Sequence, residues 1–337
     1  QRLQSNFFGN VLQYVELYHC EKYHNINKVS KKHIDLFYAE DKICNLYLFN
    51  IFKRKIIILP KIIIHPIYVI CNNISFLKTH IVGINSQWDR DIHNLLDKTE
   101  PFFKLSDEEN IVGEKFLKNI GLKKEDKFIC LNVREGEYHK NMKFHNYRNG
   151  DIDNYVSACE EMAKLGYFVF RMGAKLGKPL NSKNKKIIDY ANNGMRTEFL
   201  DIFLGLNCSF CISTSSGFDA LPIVARKPML FITVPIGYFY SFGKKYMSIT
   251  KHHFDNVLKR KLSMQEIFKR KLGFALNSEE FAKHNISLLE NTPLEIKEAS
   301  LEMHSKLSNN FNISEEEEKI REQFWSEYND YVKNYLS

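Results

Sequence analysis

The fold is indicated most clearly by one stretch near the middle of the 337-residue chain, which reads Phe128-Ile129-Cys130-Leu131-Asn132-Val133-Arg134-Glu135-Gly136. Five of its first six residues are apolar, as in a strand buried on both faces, and charged residues follow at once. Similar apolar runs occupy residues 167–172, 209–213 and 228–233, separated by helical patterns over 152–165, 198–206 and 218–225. Strands that alternate with helices at this spacing predict an α/β fold with a parallel, doubly wound sheet.

Helix start signals support this interpretation. Asp151 and Thr197 stand at N-cap positions before two of the predicted helices. Upstream, Ser106-Asp107-Glu108-Glu109 is a capping box, which predicts a helix that ends at Gly121. Helical patterns dominate again after Ser263, and Ser314 precedes a run of four glutamates that suits the first turn of a last helix. We therefore interpret that acidic run as capping, with no metal site there.

The N-terminal part of the chain has a less regular pattern. Its most apolar segment runs from Ile56 to Ile70, but Lys61, His65 and two prolines interrupt it. It is too short and broken to provide the ~20 apolar residues of a membrane span, so we predict short buried strands at 56–59, 62–64 and 68–70. Residues 1–18 lack the pattern of a signal peptide, and the seven cysteines are scattered through apolar segments. These features predict a cytoplasmic protein with reduced thiols.

Polar residues follow each strand of the predicted sheet, where open parallel sheets bind ligands. The residues in these positions are Arg134, Glu135, Glu137, His139 and Arg148 after the first strand, Arg171 and Gly173 after the second, and Ser215, Ser216 and Gly217 after the third. Guanidinium groups together with backbone N–H groups at a helix start suit a phosphorylated ligand. Glu135, Glu137 and His139 are the candidate general bases.

Each of these assignments has a structural alternative. Arg134 or Arg171 could pair with a neighbouring carboxylate at its strand end. Ser216 and Asp219 fit a capping box, and Asp219 is unfavourable beside a phosphate, so Ser215 and the backbone of Gly217 are the better phosphate ligands. The three candidate bases lie in a polar loop, where solvation alone would explain them.

The sequence lacks the motifs of several other reaction classes. Residues 173–179 approach a P-loop, but one residue is missing between the glycines and Pro179 replaces the hydroxyl that would bind magnesium. The sequence has no GxGxxG after a strand, no GxSxG, no HExxH and no DxD pair suited to a metal-bound sugar nucleotide. It therefore favours neither an NTPase, nor a nicotinamide enzyme, nor a metal site.

A set of segments resembles one family of proteins: residues 128–138, 147–149, 152–155, 166–173, 199–204 and 213–217. Together they are similar to bacterial glycosyltransferases found in surface-polysaccharide gene clusters. More loosely, the strand with its arginine loop resembles the donor half of fucosyltransferase-like enzymes of the GT-B type. The resemblance covers residues 100 to 235.

The resemblance implies a GT-B-like fold, with two Rossmann-like domains facing a cleft and additional C-terminal helices. Residues 1–105 would form the acceptor-side domain, 106–121 a bridging helix, 122–295 the nucleotide-sugar domain, and 296–337 helices that pack back across both. The donor's diphosphate or nucleotide would be held by Arg134, Arg148, Arg171, Gly173, Ser215, Ser216 and Gly217. No metal or cofactor would be needed beyond the nucleotide-sugar co-substrate, because basic side chains and a helix start neutralise the leaving group.

The predicted function is therefore a metal-independent glycosyltransferase that moves a sugar from a nucleotide-sugar to a glycan or lipid-linked acceptor in surface polysaccharide biosynthesis. The alternative is a non-catalytic protein that binds a nucleotide or an anionic glycan in the same cleft. The chain carries 48 Lys and Arg against 40 Asp and Glu, a net charge of +8. Its lysines are spread out and its aromatic residues lie mainly in apolar runs, which argues against nucleic-acid binding. The excess charge instead suits peripheral contact with an anionic inner membrane.

Overall fold

The computed structural model describes residues 1–26, 32–81, 91, 93–136, 143–174, 177–233, 245–308 and 310–336. Within these ranges the strands are β1 (Arg2–Leu3), β2 (Leu36–Ala39), β3 (Ile57–Ile58), β4 (Phe128–Asn132), β5 (Phe168–Arg171), β6 (Ile187–Ile188), β7 (Cys211–Ser213), β8 (Met229–Ile232), β9 (Tyr246–Ile249), β10 (His252–Asp255), β11 (Arg260–Lys261) and β12 (Ile286–Leu289). The α-helices are α1 (Phe8–Tyr23), α2 (Leu46–Lys53), α3 (Lys61–Asn73), α4 (Asp107–Asn119), α5 (Val156–Lys164), α6 (Glu198–Asn207), α7 (Ala220–Val224), α8 (Met264–Lys269), α9 (Ser278–Lys283), α10 (Pro293–Leu307) and α11 (Glu315–Leu336).

The largest sheet is parallel throughout and has the order β6-β5-β4-β7-β8-β9. Alternate residues of β4 enter two different cores, as the period of two in a strand requires. Ile129 and Leu131 pack with residues of α5 and α10, whereas Phe128 and Cys130 pack with residues of α6. Helices therefore cover both faces, and the predicted doubly wound sheet is confirmed.

The four strands predicted in this region all form, and Thr197 caps α6 by accepting from Leu200 N–H at 3.1 Å. The two edge strands, β6 and β9, were not predicted. β6 pairs over only two residues, and both edge strands are only partly buried. Short, half-exposed strands lack the continuous apolar run that identifies a central strand.

The N-terminal part contains a small parallel sheet with the order β1-β2-β3. The predicted strand at 56–59 corresponds to β3, but the strands predicted at 62–64 and 68–70 are wrong, because both segments belong to α3. Pro60 is the N-cap residue of this helix, and Pro66 lies within it. The continuous apolar run suggested burial on two faces, whereas only Ile64 of this helix is buried.

One hydrophobic core joins the N-terminal part to the large sheet. Residues of α1 and α2 pack in it with Ile202 and Leu206 of α6 and with residues of α7. A buried ion pair lies at the same junction: the Glu16 carboxylate accepts from Arg226 Nη2 at 2.8 Å and from the N–H groups of Phe102 and Phe103 at 3.0 and 2.9 Å. Ions removed from water need such complete pairing, so this contact fixes the junction.

α4 has the predicted capping box at Ser106 and contacts both parts of the chain. Its Glu109 accepts from Tyr47 and Arg54 of the N-terminal part, at 2.8 and 2.7 Å. On the other side, Gly113 lies so close to Phe203 that a Cβ there would be 2.2 Å from the ring. The limits predicted for the domains stay a prediction.

The C-terminal region adds a small antiparallel sheet with the order β11-β10-β12, which was not predicted, and the helices α8 to α11. Phe268 of α8 stacks on Tyr331 of α11 with 4.6 Å between ring centroids. In the described residues, none of the helices has the length and apolar character needed to cross a membrane.

Candidate functional site

A cavity of about 480 Å³ lies between the N-terminal part and the carboxyl edge of the large sheet. The sheet side contributes residues that follow β4, β5, β6 and β7, as expected for a ligand site of an open parallel sheet. The residues that line it are Asn6, Phe7, Phe8, Gly9, Asn10, Cys44, Asn45, Asn132, Val133, Arg134, Glu135, Gly136, Phe144, His145, Arg148, Gly173, Ala174, Arg196, Asp201, Ser216, Gly217 and Phe218.

Arg134 is held at the end of β4 through its backbone. Its N–H donates to Thr214 Oγ1 at 2.8 Å, and its carbonyl accepts from Gly150 N–H at 2.8 Å. Its guanidinium donates to the backbone carbonyl of His145 at 3.0 Å and to the side-chain oxygen of Asn149. These acceptors are neutral, so they orient the guanidinium without cancelling its charge.

Arg148 ends a 3-10 helix over Lys143–Arg148. This helix is anchored by Ser278, whose hydroxyl accepts from Tyr147 N–H at 3.1 Å. The Arg148 guanidinium donates to the Ser215 carbonyl at 3.4 Å, while its buried Nε–H has no described hydrogen-bond partner. A buried donor without a partner is costly, which makes Arg148 a favourable position for an added acceptor.

The two guanidinium groups form the charged centre of the site. Among the described residues, no carboxylate lies within ion-pair distance of Arg134 or Arg148. Burial, followed by the nearby charge of Arg148, holds the pKa of Arg134 below its ordinary value. An anion placed between them would remove this repulsion, and guanidinium forks suit phosphate oxygens in particular.

The turn after β7 is held rigidly by buried hydrogen bonds. Ser213 donates to the Asp219 carboxylate at 2.6 Å, and Asn132 donates to Ser216 Oγ at 2.6 Å. Ser216 and Asp219 form the capping box that the sequence indicated. Burial raises the pKa of Asp219 to about 6. Ser216 and Gly217 line the cavity, and the Ser216 side chain is already engaged in this capping box.

Ser215 lies in the same turn with φ +68°, a left-handed conformation that is uncommon for a residue with a side chain. Its N–H donates to Ser213 Oγ at 3.1 Å, and its carbonyl accepts from Arg148. Ser215 is not among the residues that line the cavity. The structure thus places it behind the site, where it supports Arg148.

The first turn of α1 lies beside this turn, and both line the cavity. Phe7 makes no side-chain cap, and the first turn of α1 contains no acidic residue, so no side chain of this turn offsets the positive end of the helix dipole. The two segments are in close contact, since a Cβ on Gly9 would be 2.8 Å from the Cα of Gly217. The start of this 16-residue helix therefore lies on the same cavity as Arg134 and Arg148.

Arg171 was predicted to bind the donor, but the structure places it away from the cavity. Its side chain is 0% exposed and it does not line the cavity. It pairs with Glu135 and Asp189 and donates to the carbonyl of Lys178 at 2.6 Å. Arg171 therefore holds the loop after β5 and does not reach a ligand in this conformation, which is the strand-end alternative stated above.

The ion pair with Arg171 also restricts Glu135. Both of its oxygens are engaged, one by Arg171 and the other by the N–H of Gly177. A carboxylate held in this way is a poor candidate for proton transfer, although it lines the cavity. Glu137 and His139 lie outside the described residues and stay predictions. Gly173 lines the cavity, as predicted for a residue following the second strand, with φ +151°.

Two charged residues of the cavity, Arg196 and Asp201, were not predicted from the sequence. Arg196 donates to Asp201 at 2.6 Å, and Tyr190 donates to the other oxygen of Asp201 at 3.1 Å. Burial raises the pKa of Asp201 to about 6, despite the opposing effect of Arg196. Arg196 and Asp201 both follow the short strand β6. Ligands bind at the carboxyl ends of strands in such sheets, so recognising β6 in the sequence would have identified both residues.

In the described ranges, no three His, Cys, Asp or Glu side chains come together in a group able to hold a metal ion. Cys208 and Cys211, which form a CxxC sequence, are both buried among apolar residues of the large sheet.

Comparisons with known proteins bear on the fold. No protein-family model matches the sequence, and no curated protein sequence matches it. The structure is similar to a glycosyl transferase of family 9 from Veillonella parvula, with TM-score 0.52 and 10% identity over 91% of this chain and 98% of that chain. It also aligns with E. coli ADP-heptose lps heptosyltransferase II, with TM-score 0.46 and 11% identity over 76% and 90% of the two chains.

A third alignment, to the iron-containing heptosyltransferase TibC, has TM-score 0.31 and 12% identity over 56% and 48% of the two chains. The TM-scores of the two heptosyltransferase alignments are too low to support an argument, and identity near 10% limits the first comparison to architecture. The prediction of a GT-B-like α/β fold is confirmed at this level: the chain shares the fold of the family 9 glycosyl transferase.

Proposed function

We propose that the chain is a glycosyltransferase that moves a sugar from a nucleotide-sugar to the hydroxyl group of a glycan or lipid-linked acceptor. One observation carries the proposal: Arg134 and Arg148 face a cavity between two parts of the chain without a described carboxylate partner. The fold shared with a family 9 glycosyl transferase agrees with this reaction class, but the proposal rests on the residues of the cavity, because one fold can host many functions.

The donor's diphosphate would lie between the two guanidinium groups and the first turn of α1. Its negative charges suit the guanidinium forks and the helix start. The Nε–H of Arg148, which has no described partner, would gain an acceptor. Gly9 and Gly217 lack side chains, which lets the first turn of α1 and the turn after β7 approach so closely that both border the same cavity.

Transfer requires a group that takes the acceptor's proton. We assign this role to Asp201, since its pKa of about 6 leaves it ionised at neutral pH yet basic enough to accept a proton. Both of its oxygens accept hydrogen bonds, as those of Glu135 do, but its partner Arg196 is 32% exposed whereas Arg171, the partner of Glu135, is fully buried, so Asp201 can exchange this contact for an acceptor hydroxyl. The acceptor oxygen bonds to the sugar's anomeric carbon while the bond from that carbon to the diphosphate breaks. The proton goes to Asp201, and the nucleoside diphosphate leaves with the bonding electron pair. Glu137 and His139 remain the other candidates.

We also propose that the reaction needs no metal ion. The developing charge on the leaving diphosphate would be neutralised by Arg134 and Arg148, which already surround the expected position of the phosphates. Preorganised donors of this kind are effective because they need no rearrangement during the reaction.

The decisive experiment compares Arg134→Ala and Arg148→Ala with Arg321→Ala, an arginine of α11 whose exposed side chain pairs only loosely with Glu318. Nucleotide-sugars are screened by thermal shift, and donor hydrolysis and transfer are measured with and without a chelator.

We expect each cavity variant to lose about 100-fold in kcat/KM, the loss typical of removing one transition-state donor. Arg321→Ala should match the wild type, and the chelator should have no effect. Unchanged turnover in both cavity variants would contradict the proposal.

The second candidate is a non-catalytic protein that binds a nucleotide or an anionic glycan. It is favoured by one observation: both described carboxylates of the cavity, Glu135 and Asp201, are paired with arginines. Under this alternative a nucleotide-sugar binds tightly and depends on Arg134 and Arg148, but no donor hydrolysis or transfer is detected with any acceptor.

A further inference from the structure

α3 exposes an unusually apolar face. Ile63, Ile67 and Ile70 follow one another at helical spacings of four and three residues, and all three are exposed. Ile62, 84% exposed, extends this face, and Phe76, 76% exposed, lies in the 3-10 helix that follows. We call these five residues the α3 surface. Contiguous exposed apolar patches usually mark contact surfaces.

The opposite side of α3 packs against the small sheet. Ile64 is buried, and Tyr68 packs against Tyr38 of β2 with 5.8 Å between ring centroids. His65 also contacts this strand, through a hydrogen bond of 3.0 Å with the Tyr38 hydroxyl. The helix is therefore held in place by its buried side, and the α3 surface plays no part in this packing.

The segment that carries the α3 surface is basic in sequence. Residues 42–81 contain no Asp or Glu but include Lys42, Lys53, Arg54, Lys55, Lys61 and Lys78. Lys53 and Lys78 are exposed, and no described carboxylate pairs with either. An apolar face in a basic segment complements a surface that combines acyl chains with negative headgroups.

The position of α3 relates this surface to the cavity. β1, β2 and β3 are parallel, so their carboxyl ends share one edge of the small sheet. The segments after β1 and β2 supply the cavity residues Asn6 and Asn45, and α3 begins directly after β3. Lys61, at the start of α3, pairs with Asp41 of the segment after β2 at 2.6 Å. The first turn of α3 thus lies on the same edge as the N-terminal side of the cavity.

We propose that the α3 surface docks on a membrane of anionic lipid, with α3 lying in the plane of the interface. At 13 residues the helix is too short to span the bilayer, but its apolar face can enter the boundary between headgroups and acyl chains. The flanking lysines contact the negative headgroups. This docking places the N-terminal side of the cavity at the lipid surface, and it does not depend on the reaction proposed above.

The experiment measures co-sedimentation of the full chain with vesicles of phosphatidylcholine alone and of phosphatidylcholine with phosphatidylglycerol. The test variant is Ile63→Gln with Ile70→Gln, at positions 54% and 52% exposed. The matched control is Ile111→Gln with Ile320→Gln, two isoleucines of other helices that are 63% and 62% exposed. Because all four residues are exposed, both variants should fold, and thermal unfolding verifies this. Lys53→Glu with Lys78→Glu tests the charge.

We expect the wild type and the control to bind vesicles that contain phosphatidylglycerol, and the Ile63 and Ile70 variant to bind at least about tenfold more weakly, since two buried isoleucines are lost. The lysine variant should lose the preference for phosphatidylglycerol, and salt should weaken binding. Equal binding by test variant and control would overturn the proposal, as would absence of binding. So would a concentration-dependent dimer that only the Ile63 and Ile70 variant disrupts, because a second copy would then cover the surface.

Discussion

The two sides of the cavity differ in chemistry. All described charged residues that line it come from the large sheet and its loops: Arg134, Glu135, Arg148, Arg196 and Asp201. The N-terminal side contributes only uncharged groups, chiefly the amides of Asn6, Asn10 and Asn45 and the rings of Phe7 and Phe8. Guanidinium groups suit a phosphorylated ligand, whereas neutral amides suit hydroxyl groups. The comparison indicates a division of labour: the sheet side supplies the charged groups for the anionic substrate, and the N-terminal side, apart from the backbone at the start of α1, supplies groups that suit a hydroxyl-bearing partner.

Such a division requires that the two sides of the cavity hold a fixed position relative to each other. The buried ion pair between Glu16 and Arg226 holds them there. The strongest expected effect is therefore that of Glu16→Ala. It leaves Arg226, whose side chain is only 13% exposed, without its carboxylate, and removes the acceptor of two buried N–H groups. We expect a loss of about 3–5 kcal/mol in the free energy of unfolding, measured by urea denaturation.

Glu302→Ala serves as the control, because Glu302 pairs with Lys306 in an exposed i,i+4 contact of α10 that contributes about 0.5 kcal/mol at most. Adding Arg226→Ala to Glu16→Ala should recover part of the lost stability, since no unpaired charge then stays buried. Equal stability of the Glu16 variant and the control would show that the junction depends on the apolar core alone.

The chemistry on the sheet side is tested by Asp201→Asn. General bases contribute about 100-fold or more, so kcat should fall by at least about 100-fold while nucleotide affinity changes little. Burial raises the pKa of Asp201 to about 6, and the base must be ionised. The wild-type rate should therefore rise with pH through about 6 and level off above it, and this rise should be absent in the variant.

Glu125→Gln, an exposed position in the segment before β4, is the control and should keep the wild-type profile. A variant of Asp201 that keeps both the rate and the rise near pH 6 would transfer the role to Glu137 or His139.

The sheet side was also the part that the sequence predicted best, for a physical reason. β4, β7 and β8 are covered on both faces, so nearly every residue must be apolar and the run is easy to recognise. The carboxyl-end rule then located Arg134, Arg148, Gly173, Ser216 and Gly217 on the cavity.

The errors have equally specific causes. Arg171 follows the same rule, but sequence does not reveal that Glu135 and Asp189 come close enough to bury its guanidinium. Asp201 was missed because β6 is only two residues long. α3 was taken for strands because an isoleucine-rich run was assumed to be buried, whereas it is exposed. Periodicity reports which residues are apolar, and only the tertiary contacts determine which of them are covered.

The smallest expected effect concerns the point where the two sides touch. In Gly9→Ala the new Cβ would be 2.8 Å from the Cα and 3.0 Å from the carbonyl oxygen of Gly217, both backbone atoms, so α1 or the turn after β7 must move. We expect a net loss of about 1–2 kcal/mol in the free energy of unfolding and a weaker affinity for the nucleotide. The loss is net of a gain in helix propensity, because alanine is a better helix former than glycine. Gly217→Ala is the matched control, because its Cβ would meet only the Gly9 nitrogen, at 3.2 Å, and two atoms beyond 3.7 Å. It should cost clearly less stability, as measured by urea denaturation. A Gly9 variant more stable than the wild type would mean that helix propensity outweighs the contact. The two sides would then not be held together at this point, and the fixed relation between them would depend on the buried ion pair and the shared core.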